Sequence, residues 1–233
     1  MEEIFTTAWN YYKQHWKFLV IVAAVGVVLA TLIMTAPIIY IYTRVVLDPE
    51  GAAKMFEGMG VGTLVGYGAM ILMGSILYAL TSLGLTKASL KITKGETPST
   101  YQDALISLGT FLKMVGASIV VGLGIMICSL LCVIPGFIFA FFCMFVFIIL
   151  IDNPNTGIID AIKKSMTLFK ANWQTALIVT ILLSILSTMA SSVAVVGTIA
   201  ALPFTALAQV VMYRMFNGEL TVNDNNNVPP PLQ

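Results

Sequence analysis

Charge is the scarcest commodity in this chain. Of its 233 residues 10% are charged and 58% are hydrophobic, with a mean hydropathy of +0.94. Soluble domains carry roughly 25% charged residues. So few charges cannot cover a water-exposed surface, so most of the chain must face lipid or protein. The net charge of +1 and the lack of any basic run interleaved with aromatics exclude nucleic acid as a partner. There is one histidine and there are three cysteines. Cys128, Cys132 and Cys143 all stand in apolar stretches, and an odd number cannot fully pair. Cys128 and Cys132 are one helical turn apart and read as small packing residues, because no soft ligand accompanies them. No metal site, cofactor or catalytic residue is expected. Covalent or acid–base catalysis needs a nucleophile with a base, or a liganded metal. The apolar segments hold Ser and Thr but no acid, and His15 lies beside Trp16 at a segment edge.

What the chain has in abundance is long apolar runs. Six are evident: 16–41, 60–85, 112–132, 134–151, 173–195 and 197–216. None has Asp, Glu or Lys in its interior. Each is long enough to cross a hydrocarbon core, which takes about 20 helical residues. Their continuity, without period-two alternation, means helices and not a barrel. The apolar run 18–41 exceeds the length of a signal-peptide core, about 7–15 residues, so it reads as a retained span. The fold class expected is all-α: a polytopic membrane protein of six transmembrane helices in a single domain, 1–220. A tail over 221–233, rich in Asn and Pro, reads as disordered.

The connections carry further signals. Tight hairpins are expected at Val133-Ile134-Pro135-Gly136 and near Val195-Val196-Gly197. The first two spans are joined by 42–59, with a turn at Asp48-Pro49-Glu50-Gly51 and a short helix over 52–59. Three stretches, 2–13, 98–113 and 157–170, place apolar residues on one helical side. Each runs into an odd-numbered span, so each is expected as an amphipathic helix lying at the membrane surface. Glu3, Asp103 and Asp160 stand ten residues before Lys13, Lys113 and Lys170. That register predicts a pseudo-threefold helix–hairpin repeat, with units 1–97, 98–155 and 156–220 and the three lysines at equivalent elbows. Asp103, Asp152 and Asp160 are expected near helix starts, where they meet the positive end of the helix dipole.

Ten basic residues fall on one side of the spans, and only Arg44 and Lys54 on the other. The positive-inside rule puts the ten, both termini and the three surface helices in the cytoplasm. Lys13, Lys113, Lys163, Lys164 and Lys170 are the expected contacts to lipid headgroups, each worth about 1 kcal/mol near an anionic leaflet. Trp9, Trp16 and Trp173 sit where an aromatic belt belongs. Gly62, Gly66, Gly122, Pro135 and Gly136 are the expected helix-packing positions. The absence of intramembrane charge argues against an ion-coupled pump. It leaves a non-catalytic scaffold or accessory factor in envelope or lipid processes, with membrane lipids and other membrane proteins as partners. The rival is a transporter or channel for a lipid or apolar solute. A polar cavity between the spans would mark that rival, and closed packing a scaffold.

The run Ile134-Pro135-Gly136, Ile151-Asp152-Asn153-Pro154, Asp160-Ala161 and Lys170-Ala171-Asn172-Trp173 resembles a broad family of six-helix prokaryotic membrane proteins of unknown function. The membrane domain joined to some glycerophosphoryl diester phosphodiesterases is similar. The match is clearest over about residues 98–175. The resemblance implies a module of the cytoplasmic membrane and lends no hydrolase activity, since the chain has no room for the catalytic barrel.

Overall fold

The computed structural model describes residues 2–48, 50, 60–98, 104–131 and 133–220, and these are helical with no strand. The elements are α1 (Glu2–Leu47), α2 (Val61–Thr93), α3 (Leu108–Leu131), α4 (Val133–Phe142), α5 (Val146–Asp152), α6 (Ile158–Ala171), α7 (Trp173–Ser192) and α8 (Ala194–Phe216). Six stretches are long and apolar enough to span a membrane: Glu2–Leu47, Val61–Thr93, Leu108–Leu130, Ile134–Asp152, Trp173–Ser192 and Val195–Phe216. These coincide with the six runs read from the sequence. The proposed helix over 52–59, Asp103, Cys132, Lys54 and the tail 221–233 lie outside the described residues.

Three expectations are corrected. First, no separate surface helix precedes the first span. α1 runs unbroken through Lys13 for 46 residues, about 69 Å at 1.5 Å per residue. Nothing in Lys13-Gln14-His15-Trp16 breaks a helix. The buried stripe Ile4, Ala8, Tyr11 simply continues as Leu19, Ala23, Val27 and Ala30. Second, no helix reaches from residue 98 to Lys113. Residues 105–107 are irregular, and α3 starts at Leu108. Ser107 caps it: the Thr110 N–H donates to Ser107 Oγ at 3.3 Å, and the Phe111 N–H to the Ser107 carbonyl at 2.9 Å. Only the third stretch, α6, stands as a helix of its own before its hairpin. Lys13 is therefore inside a continuous helix, Lys113 lies in the second turn of α3, and Lys170 lies in the last turn of α6. The lysines do not occupy equivalent positions, and a threefold repeat is not shown.

Third, the fourth span is interrupted. α4 ends at Phe142 and α5 begins at Val146, although Phe142-Cys143-Met144-Phe145 contains no breaker. The cause is a side chain from another helix. Ser165 of α6 donates to the Phe142 carbonyl at 2.6 Å and accepts from the Phe145 N–H at 3.1 Å. One buried hydroxyl thus satisfies both ends of the break, as buried backbone groups require. The α6 face that does this is Ala161, Ser165 and Phe169, all buried.

The hairpin turns fall a few residues before the Pro-Gly and Gly signals. Pro135 sits in the first turn of α4, where its missing N–H costs nothing. Gly136 lets α4 approach Ser129, and Gly197 lets α8 approach the Ala190 carbonyl. A Cβ at either would be 2.0 Å and 1.9 Å from those oxygens.

Burial divides the bundle into two zones. Between Ala206 and Arg214 every residue of α8 except Gln209 is buried. Around this stretch gather Ile4 and Ala8 of α1, Leu85, Ala88 and Ile92 of α2, and Val146 to Leu150 of α5 in one apolar cluster. The Phe145 ring meets Tyr213 at 6.1 Å and Phe216 at 5.9 Å. Elsewhere the large apolar side chains of α1 beyond Leu19, of α2 before Leu80, and of α3 and α7 are largely exposed. In a membrane span such side chains face acyl tails that are as apolar as they are.

Candidate functional site

Charge collects at the packed end. α2 and α8 close on the same local pattern, Lys94-Gly95-Glu96 and Asn217-Gly218-Glu219. Gly95 (φ 82) and Gly218 (φ 72) adopt the left-handed conformation. The Glu96 N–H returns to the Lys91 carbonyl and the Glu219 N–H to that of Arg214, both at 3.0 Å. Such glycine caps end a helix sharply, and Lys94 at the end of α2 lies beside the end of α5. Lys94 Nζ lies 2.7 Å from Asp152 Oδ1. The Tyr213 hydroxyl donates to Asp152 Oδ2 at 3.2 Å, and Lys164 Nζ donates to that hydroxyl at 3.5 Å. Arg214 donates to the Thr93 carbonyl and lies 3.2 Å from Glu219. Asp152 is the last residue of α5, not near a helix start as expected, so it faces the negative end of that dipole. Lys94 offsets this. The network joins α2, α5, α6 and α8, and its hydrogen bonds are mutual. It reads as a structural clamp.

The five lysines expected at headgroups divide. Lys13, Lys163 and Lys170 are exposed; Lys13 lies over the Trp9 ring at 5.4 Å and Lys170 over Phe142 at 5.6 Å. Lys164 is half-buried toward Tyr213. Lys113 is half-buried too, and its ammonium donates to the carbonyls of Pro154 and, at 3.4 Å, Thr156. It ties down the α5–α6 turn. Trp9, Trp16 and Trp173 are all exposed. Of the glycines, a Cβ at Gly62, Gly66 or Gly122 would meet nothing within 4 Å. Close packing within the chain falls at other positions, among them Gly26 against Thr81 and Gly74 against Met34. Small residues allow close approach, but which of them a helix turns toward its neighbours in the chain depends on its rotation. Pro135 is exposed, and Gly136 is packed.

Away from the clamp, α7 and α8 leave a gap against the closely packed pair α1 and α2. Two adjoining open cavities, about 320 Å³ and 520 Å³, lie between α1, α2, α7 and α8 and share Tyr78, Ser191 and Thr198. Their combined size falls in the range of ligand sites, roughly 300–1,000 Å³. The first is further lined by Ser187, Thr188 and Thr205, the second by Thr31 and Ser75. Val27, Met34 and Leu202 add apolar walls. No charged side chain lines either. Tyr78 precedes Lys94, and Thr198 precedes Arg214, by sixteen residues, about 24 Å of helix in each case. The cleft therefore lies far from the charged end, close to the α7–α8 turn and beside the middle of α2. Sequence reading noticed hydroxyls in the spans without assembling them. The signal was on α7, where Ser184, Ser187, Thr188 and Ser191 recur at helical spacing.

Six apolar helices around a charged, packed end and a hydroxyl-lined cleft define a multi-pass helical membrane protein. Three curated proteins are similar to it: an uncharacterized protein of Mycobacterium bovis and one from each of two strains of Mycobacterium tuberculosis. Each is 27% identical over 249 aligned positions, covering 96% of this chain and 70% of the relative. Their names state no function, and none points to a phosphodiesterase. No family profile matches the chain, and no solved structure matches it.

Proposed function

We propose that this protein is a non-catalytic component of the cytoplasmic membrane that holds a lipid-class ligand between its spans, as a carrier or a lipid-handling accessory would. The hydroxyl-lined cleft between α1, α2, α7 and α8 carries this reading. Hydroxyl side chains of four spans border this open space beside apolar walls and no charged residue, a lining that suits a ligand with a polar head and apolar chains. An experimental structure in a lipid environment tests it. Elongated non-protein density is expected between Tyr78, Ser191 and Thr198; α7 and α8 collapsed onto α1 and α2 would refute it.

A scaffold or accessory role in envelope processes is favoured by a different feature, the fully packed end around α8, which offers a rigid base to other membrane proteins. The resemblance to the membrane domain of glycerophosphoryl diester phosphodiesterases fits either role, since that module too is expected to act without chemistry of its own. The orientation that goes with both has the clamp and the two termini in the cytoplasm, supported by the ten-to-two division of basic residues. In a cysteine-free background, a cysteine at Gly51 should then react with an impermeant thiol reagent on intact cells, and one at Asn155 should not. The reverse labelling would invert the topology.

A further inference from the structure

Resting on the ligand-holding reading above, the chemistry of the cleft points to the kind of headgroup it takes. The hydroxyls of Ser75, Thr188, Ser191 and Thr205 already donate to carbonyls of their own helices: Ser75 to Ile71 at 2.8 Å, Thr188 to Ser184 at 2.8 Å, Ser191 to Thr188 at 2.8 Å and Thr205 to Leu202 at 2.9 Å. A hydroxyl has one proton and two lone pairs. These four therefore face a ligand as acceptors. The side-chain hydroxyls of Thr31, Tyr78 and Ser187 line the cavities and have no partner among the described residues, so they are free to donate. Tyr78 borders both cavities.

This set suits a group that both gives and accepts hydrogen bonds and has no charge. A phosphate fits poorly. It can only accept, so the four hydroxyls already spent on helix carbonyls offer it no proton, and no charged side chain lines the cleft: the first lysine along α2 after Tyr78 is Lys87, nine residues or about 14 Å further along the helix. An unpaired charge in an apolar span costs several kcal/mol. Val27, Met34 and Leu202 supply an apolar surface for a chain. We infer that the cleft binds a neutral, hydroxyl-bearing amphiphile of the diacylglycerol type and discriminates against its phosphorylated counterpart, with Tyr78 as the donor that anchors the hydroxyl-bearing head.

The full chain in phosphatidylcholine nanodiscs tests this with a diacylglycerol carrying a photoactivatable acyl chain. Labelling is expected on peptides around Tyr78 and Ser191. Unlabelled diacylglycerol should compete at least about tenfold better than phosphatidic acid with the same chains. Tyr78→Phe, which keeps the ring and removes the hydroxyl, should weaken labelling by up to about tenfold, the effect of one hydrogen bond. Equal competition by the two lipids would overturn the headgroup preference while leaving the cleft as a lipid site. Labelling confined to the outer surface of the bundle would overturn both. An unchanged signal in Tyr78→Phe would remove the anchoring role.

Discussion

Asp152→Ala should lower the stability of the detergent-solubilised protein by about 2–4 kcal/mol. Breaking a buried ion pair by removing one partner costs about 3–5 kcal/mol, and hydrogen bonds to charged groups contribute about 1.5–3 kcal/mol each. The Asp152 side chain is only 6% exposed but Lys94 remains 40% exposed, so the lysine left behind regains water and the loss falls below the full buried-pair value. The carboxylate also holds the Tyr213 hydroxyl and the Asn153 amide at 3.1 Å. Asp152→Asn keeps acceptor oxygen and shape, so it should fall between wild type and Ala. Thermal unfolding of the three proteins gives the order. An Asp152→Ala midpoint equal to wild type would mean that the network only decorates the packed end.

The second large effect belongs to the cleft. Ala201 lines the smaller cavity, and Ser191 borders both. An indole at either position occupies the space in which a ligand would lie. Ala201→Trp and Ser191→Trp are expected to abolish retention of a bound lipid. Neither residue belongs to the clamp, and Ser191 is exposed, so folding of at least the second variant should be preserved. Overpacking costs typically about 1–3 kcal/mol, which thermal unfolding would register separately from the loss of ligand.

The six spans were legible because their cause is local. Apolar length decides whether a helix can cross a membrane, and length is written in one dimension. The Pro135-Gly136 and Gly197 signals likewise marked their hairpins to within a few residues. What could not be read depends on partners distant in the chain. The break at 143–145 exists because Ser165, twenty residues on, supplies two hydrogen bonds, and no residue near the break announces it. The clamp brings Lys94, Asp152, Lys164, Tyr213 and Arg214 together from four helices, and nothing in the sequence near any one of them names the others. Lys13 and Lys113 misled for a related reason. Matched spacing from an acid does not make shared structure, because a helix stops only where a cap or a breaker stops it. Lys13 has neither, while Ser107, four residues after Asp103, caps the start of α3. The hydroxyls of the cleft were visible as letters. Their meeting depends on how α7 and α8 rotate against α1 and α2, which hydropathy does not encode.

The central claim is that the space between α1, α2, α7 and α8 is a lipid site. Native mass spectrometry of the protein released gently from membranes measures this directly. The wild-type chain should retain one lipid-sized adduct at collision energies that strip nonspecific detergent, and Ala201→Trp and Ser191→Trp should appear bare at equal thermal stability. A wild-type protein with no adduct, or variants that hold the same adduct as wild type, would contradict the account.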